Sequence, residues 1–178
     1  MAAITGLMTI GQFWELPETQ PFYYELHHGE LVQVCRPKFG HTSIQMQLLK
    51  ELLKRAGSNM SVGMEVPFRA LPQYEFRVAD VVMLSRDRIK QADPEDVLRG
   101  APELVVEVLS PSNTMSEIND REQLCLENGS REFWIVDPDL RQVKVSRPDG
   151  VTTTFRAGQE ISLAVFEAGS IQVDEIFA

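Results

Sequence analysis

The 178-residue chain reads as an α/β (α+β) protein: a mixed sheet with flanking helices. Three observations point there. Residues 78–84 and 104–109 are short, β-branched apolar runs with no interior Gly or Pro, the pattern of strands buried on both faces. Residues 42–56 and 114–128 carry apolar side chains at helical spacing. The central order of helix, three strands, helix and strand supplies cover for both faces of such a sheet.

The elements follow in turn. Residues 9–16 form a short helix ended by Pro17. Residues 23–27 and 30–34 flank His28-Gly29, which reads as the two-residue turn of an N-terminal hairpin. Ile44, Leu48, Leu49, Leu52, Leu53 and Ala56 make one stripe of the first long helix, with Thr42 and Gln45 resembling a capping box and Gly57 a stop. A strand at 62–69 precedes the Asp80 strand, and a polar connection through Asp93-Pro94 leads to Gly100-Ala101-Pro102 and the Glu107 strand. Ser110-Pro111-Ser112-Asn113 opens the second long helix, which Gly129 ends. Residues 132–136 are a strand closed by Asp137-Pro138-Asp139, and strands at 142–146 and 151–155 bracket the turn 147–150. The tail, 161–176, alternates weakly and adds C-terminal extra strands at an edge. The core order is αβββαβ. With no repeats and no long linker, residues 1–178 read as one domain.

Composition narrows the function classes. At 43% hydrophobic and 24% charged, the chain is globular in character and able to bury a core without staples. Cys35 and Cys125 have no metal-type spacing and suit a reducing compartment. No signal-like start and no membrane-length apolar segment is present, so the expectation is a cytoplasmic protein with no membrane partner. The net charge of −9 counts against strong nonspecific attraction to nucleic acid.

The most informative residues are Asp80 and Glu107, each in the middle of an apolar strand. Burying an unpaired carboxylate is costly, so such a group protonates, pairs with a cation or binds a metal. Alternation places Val78, Asp80, Val82 and Leu84 on one face, and Glu103, Val105, Glu107 and Leu109 on one face of the other strand. If those faces match, both acids converge on a hard cation such as Mg²⁺, with the Val108 carbonyl as a third ligand. The competing reading is structural ion pairing, with Arg77 or Arg121 as partner. Arg121 shares a helix face with Thr114, Ile118, Glu122 and Cys125 and so points inward toward the Glu107 strand. There it is either a salt-bridge partner or a charge that stabilises a phosphoryl group. Glu25 and Glu30 flank the hairpin turn, where surface acids are ordinary and a share in the site is the alternative. His27 and His28 read as solvated turn residues and His41 as part of a helix start.

Several ordered segments resemble one family. They are Tyr24-Glu25-Leu26 with Gly29-Glu30-Leu31, His41 at a helix start, Arg77-x-x-Asp80-Val81-Val82, the run from Pro102 to Ser112, and Gly129 through Glu132 to Pro138. This pattern is similar to the Uma-type group of bacterial candidate restriction endonucleases, within the PD-(D/E)XK nuclease superfamily, and spans nearly the whole chain. The resemblance implies a restriction-endonuclease-like core, Asp80 and Glu107 as holders of Mg²⁺ or Mn²⁺, and a lysine that orients the attacking water. Leu109 stands where the superfamily's lysine usually lies, and Arg121 stands where this group carries it on the following helix. Ala79 replaces the typical proline before the first acid. Arginine keeps the charge but does not accept a proton.

The resulting expectation is a Mg²⁺- or Mn²⁺-dependent endonuclease acting on DNA. Asp80, Glu107 and the Val108 carbonyl hold the ion, Arg121 stabilises charge, and Glu25 or Glu30 completes the acidic pocket. Arg77, Arg69, His41, Lys38 and Arg36 are candidate substrate contacts, and a homodimer is the favoured assembly. The alternative is an inactive nuclease-fold protein that serves as a binding or assembly module.

Overall fold

A computed structural model of the chain describes residues 6–17 and 23–178. A short helix, α1 (Ile10–Trp14), starts at Thr9, which makes a capping box with Gln12. The hairpin of β1 (Tyr23–His27) and β2 (Glu30–Val34) follows. His28 and Gly29 both have positive φ, 50° and 83°, as a two-residue type I′ turn requires. The hairpin stands apart from the main sheet and touches it through Leu26, which exchanges two backbone hydrogen bonds with Phe76 at 2.9 Å.

The remaining elements are α2 (Phe39–Arg55), β3 (Met60–Arg69), β4 (Arg77–Ser85), α3 (Arg86–Gln91), β5 (Leu98–Arg99), β6 (Leu104–Val108), α4 (Met115–Glu127), β7 (Glu132–Asp137), β8 (Gln142–Ser146), β9 (Thr152–Arg156), β10 (Glu160–Ser162), β11 (Ser170–Gln172) and α5 (Val173–Ile176). A seven-stranded mixed sheet runs in the order β5-β3-β4-β6-β7-β8-β9. Strand β6 is parallel to β7, across α4, and antiparallel to β4. The expected strands, both long helices and the two-sided cover are all present.

One core lies between the sheet and α2, where Leu48 and Leu52 meet Val81, Met83, Val106 and Trp134. The other lies under α4, where Ile118, Leu124 and Cys125 meet Val82, Leu84, Val105 and Phe133. Thr114 caps α4, its side chain accepting from the Glu117 amide while the Glu117 carboxylate accepts in return.

Three local expectations are corrected. Helix α2 begins at Phe39, a turn before residue 42, and its cap residue Lys38 makes no side-chain cap bond. The Thr42–Gln45 box does not form because the buried Gln45 amide is turned toward Glu65 and Asp80. The connection after β4 is a helix, α3, started by Ser85, which accepts from the Arg88 amide. The tail supplies the expected extra strands, but β10 and β11 form their own two-stranded sheet and do not extend the main one. The tail residues Ile161, Leu163, Ile171, Val173 and Ile176 pack into the core beneath α2. Burial, not edge pairing, holds them.

Candidate active site

The site forms where β4 and β6 part. The two strands pair as Met83↔Leu104, Val82↔Val105 and Val81↔Val106. The next step of that register would set Asp80 opposite Glu107, but the ladder stops. On the other side of β4, Met64 pairs with Val81 and Val66 with Ala79, which places Glu65 opposite Asp80 without a paired bridge. Three acids on three neighbouring strands therefore share one register position.

The alternation of β4 also breaks there, correcting the expected shared face. Val81 and Met83 pack under α2 while Ala79, Val82 and Leu84 pack under α4. Residues two apart, Ala79 and Val81, thus lie on opposite sides. Glu65, across from the break, has φ +53°, a left-handed conformation uncommon for a residue with a side chain. As a result Asp80 takes its partners from α2 and from the parted strand. Its Oδ1 accepts from Gln45 Nε2 at 2.8 Å and its Oδ2 from the Val108 amide at 2.7 Å. His41 Nε2 stands 3.2 Å from the same Oδ2 and donates to the Val108 carbonyl at 3.0 Å.

Glu107 instead takes its partner from α4. Arg121 Nη1 donates to Glu107 Oε1 at 3.0 Å and to the Val78 carbonyl at 2.9 Å, and Nη2 donates to Glu25 Oε2 at 2.6 Å. The Val78 carbonyl is open to a side-chain donor because, like the Val78 amide, it points to the edge of β4 beyond the end of the β4–β6 ladder. The Val78 amide donates to Glu25 Oε1 at 3.0 Å, and His27 Nε2 lies 2.6 Å from Glu25 Oε2. The hairpin, tied in through Leu26, is what delivers Glu25.

The electrostatics are uneven. Burial raises Glu25, but Arg121, His27 and the Val78 amide outweigh it, so its pKa falls below the usual carboxylate value. Glu107, only 6% exposed, is pushed up to about 8 by burial, with Arg121 opposing and the Asp80 charge adding to the rise. Burial also raises Glu65, and Asp80 raises it further. The hydrogen bond to Asp80 raises His41. One guanidinium is shared between Glu25 and Glu107, and it does not offset the burial of Glu107.

The other expected residues divide clearly. Glu30 is exposed at the start of β2, and no hydrogen bond joins it to this cluster. Arg77 is wholly buried, paired with Glu75 at 3.0 Å and Asp120 at 2.8 Å, so it cannot meet a substrate. Arg69 is committed to Asp96 at 2.5 Å and to the Pro72 carbonyl at 3.0 Å. Arg36 lies over the Tyr23 ring at 4.6 Å. Lys38 is exposed beside the start of α2. His28 is no free turn residue: it bonds Asp120 at 2.8 Å and Glu75 at 2.9 Å. Sequence reasoning missed Glu65 and Gln45. Their role depends on strand register, and the only local signal was an acid within a strand of mixed character.

Among the described residues no three acidic, histidine or cysteine side chains already surround one metal-sized point. The donor set nevertheless suits a hard cation. Asp80 Oδ2 and the Val108 carbonyl converge on one donor, His41 Nε2, and Mg²⁺ needs only one or two carboxylates because it keeps its waters.

Comparison with known proteins adds the relationship. Residues 10–174 match the Uma2 family, described as "Putative restriction endonuclease". A crystal structure from Anabaena variabilis, described as a "putative nuclease belonging to DUF820", superposes with a TM-score of 0.81 at 23% identity, covering 96% of this chain and 97% of that one. No curated protein matches. No helix among the described residues is long and apolar enough to cross a membrane.

Proposed function

This chain belongs to the Uma2 family of restriction-endonuclease-like proteins, and on that premise we propose that it is a Mg²⁺- or Mn²⁺-dependent endonuclease hydrolysing DNA phosphodiester bonds. The observation that carries the reading is the surplus of negative charge where β4 and β6 part. Glu25, Glu65, Asp80 and Glu107 share one guanidinium and the His27 and His41 imidazoles. Asp80, Glu107 and the Val108 carbonyl would hold the ion. Once bound, such an ion lowers the pKa of a water and neutralises charge on a phosphoryl oxygen.

The protein's own groups have distinct tasks in this scheme. Arg121 stays protonated, since Glu107 and Glu25 outweigh the downward pull of burial, so it orients and neutralises and does not abstract a proton. Glu25 fixes Arg121 in place. Gln45 spaces Asp80 from Glu65, and His41, which bonds the Val108 carbonyl, would yield that oxygen to a cation held beside Asp80. DNA remains the substrate this reading implies, in the cytoplasm.

A second reading, an inactive binding or assembly module, rests on Arg121 itself. Its simultaneous bonds to Glu25, Glu107 and Val78 are those of a structural pin. Supercoiled-plasmid nicking in Mn²⁺ or Mg²⁺ separates the two. The endonuclease reading expects nicking by the wild type and a loss of at least about a hundredfold in Asp80→Asn and Glu107→Gln. Equal nicking by all three proteins, or none by the wild type, favours the module.

A further inference from the structure

Among the described residues, two hydrogen-bonded side-chain pairs join the hairpin to α4. Glu25 of β1 accepts from Arg121 at 2.6 Å. His28 of the turn meets Asp120, the residue before Arg121, with Nε2 2.8 Å from Oδ1. The hairpin's other ties run to the segment that leads into β4. Leu26 bonds Phe76, the Gly29 amide donates to the Tyr74 carbonyl at 2.8 Å, and the His28 amide donates to Glu75 Oε1 at 2.8 Å. The placing of Asp120 and Arg121 against the hairpin therefore rests on neighbouring pairs, and a histidine makes one of them.

We propose that His28 is a positioning residue for Arg121 and that its hold depends on its own proton. The ring lies between two carboxylates. Its Nδ1 stands 2.9 Å from Glu75 Oε1, the oxygen that the His28 amide already uses, while Nε2 faces Asp120. Only the imidazolium carries a hydrogen on both nitrogens. In the neutral ring one nitrogen turns a lone pair toward a carboxylate oxygen, and that approach becomes repulsive. The charged groups around the ring are Glu75 ahead of β4, Asp120 on α4 and Arg77 of β4 behind both. Arg77 donates to Glu75 at 3.0 Å and to Asp120 Oδ2 at 2.8 Å. Two carboxylates thus face two cations, and the group is neutral only while His28 is charged.

Burial decides which part moves. The Glu75 and Arg77 side chains are wholly buried, whereas those of His28 and Asp120 are 51% and 41% exposed. Burial raises the Asp120 carboxyl, but the hydrogen bonds from His28 and Arg77 outweigh it and hold its pKa below the usual value. Asp120 is therefore charged throughout the range in which histidine titrates, about pH 5 to 8. Loss of the His28 proton frees the half-exposed ring from Asp120. Glu25–Arg121 is then the one side-chain pair that still bonds the hairpin to α4, and the Arg121 guanidinium is held less firmly between Glu25 and Glu107. The joint is tight at the acid end of the range and loosens as pH rises. Its consequence for chemistry rests on the role given to Arg121 above; its detection does not, because the joint is present in metal-free protein without substrate.

NMR of the full chain in chelator, from about pH 5 to 8, follows the His28 ring protons and the Arg121 Nε–H together. In the wild type, part of the Arg121 shift is expected to share the His28 midpoint. His28→Asn removes the ring charge and suits the turn, because asparagine tolerates the left-handed backbone found there, φ +50°. In that variant the His28-linked part of the Arg121 shift is expected to vanish, leaving what His27, bonded to Glu25, contributes. A wild-type Arg121 resonance that ignores the His28 midpoint overturns the proposal, and that measurement needs no variant to fold. An Arg121 profile in His28→Asn identical to that of the wild type overturns it as well. Neither outcome depends on plasmid nicking, so the endonuclease reading and the His28 joint stand or fall separately.

Discussion

Glu65 shows how a single position joins fold and chemistry. Its backbone is left-handed at φ +53°, it lies opposite Asp80 in register, and the Gln45 amide bridges the two carboxylates at 2.5 and 2.8 Å. One NH₂ group thus keeps two like charges apart in a half-buried setting, where their repulsion amounts to about 3 kcal/mol at an effective dielectric of 20. That repulsion disfavours the metal-free fold and favours any cation that enters. Glu65→Gln removes it at nearly constant shape. The expected result is a higher melting temperature in chelator at neutral pH together with about tenfold weaker Mn²⁺ binding by calorimetry, roughly 1.4 kcal/mol. Unchanged Mn²⁺ affinity would remove Glu65 from the cation's surroundings. Arg121 makes the complementary point. A single lysine nitrogen could not hold Glu25, Glu107 and Val78 in the same planar arrangement, so the arginine has a structural reason to be there whatever the chemistry.

Among the elements, α2 carries the most duties, because it supplies His41 and Gln45 to the site and holds the tail. Glu51, buried on its inner side, accepts from Lys54 and Arg55, each at 2.6 Å, and Arg55 continues to Glu175 on α5. The Lys54 hydrogen bond first, and then that of Arg55, depress the Glu51 pKa to about 2. A carboxylate held below its unfolded value stabilises the fold above that value, and the stabilisation drains as pH falls through the folded one. Between pH of about 4.5 and about 2, therefore, the wild type should lose melting temperature faster than Glu51→Gln, by a few degrees. Parallel acid melting curves would show that this link between α2 and α5 does not matter to stability. The same helix marks where local reading succeeds and fails. Its inner stripe, and the Thr114–Glu117 start of α4, are signals written within a few residues. The end of Gln45 that counts is decided by Glu65 and Asp80, on strands that only the folded sheet brings near. The tail was legible only in part for a related reason: its weak alternation signals the strands β10 and β11, while their separation from the main sheet and their burial depend on α2 lying above them.

At the scale of the whole molecule, charge sets the conditions for function. The chain carries a net −9, a field that repels a duplex at long range. Asp80, Glu107 and Arg121 were legible as a candidate site because apolar neighbours make a buried charge conspicuous. The proposed phosphate contacts were not legible, because a surface arginine and one locked inside look alike in sequence. Arg77 is consumed by Glu75 and Asp120, and Arg69 by Asp96. With those arginines committed internally, the proposed reading draws its attraction for phosphate largely from the ion it would hold. Binding of a labelled duplex, followed by fluorescence anisotropy at near-physiological salt, should be undetectable in chelator. It should appear on addition of Ca²⁺, a hard cation with the same preference for oxygen ligands, and Asp80→Asn should weaken that Ca²⁺-dependent binding at least about tenfold, roughly 1.4 kcal/mol. Tight binding in chelator, insensitive to Asp80, would mean that a basic surface elsewhere receives the DNA and that the acids where β4 and β6 part serve another end.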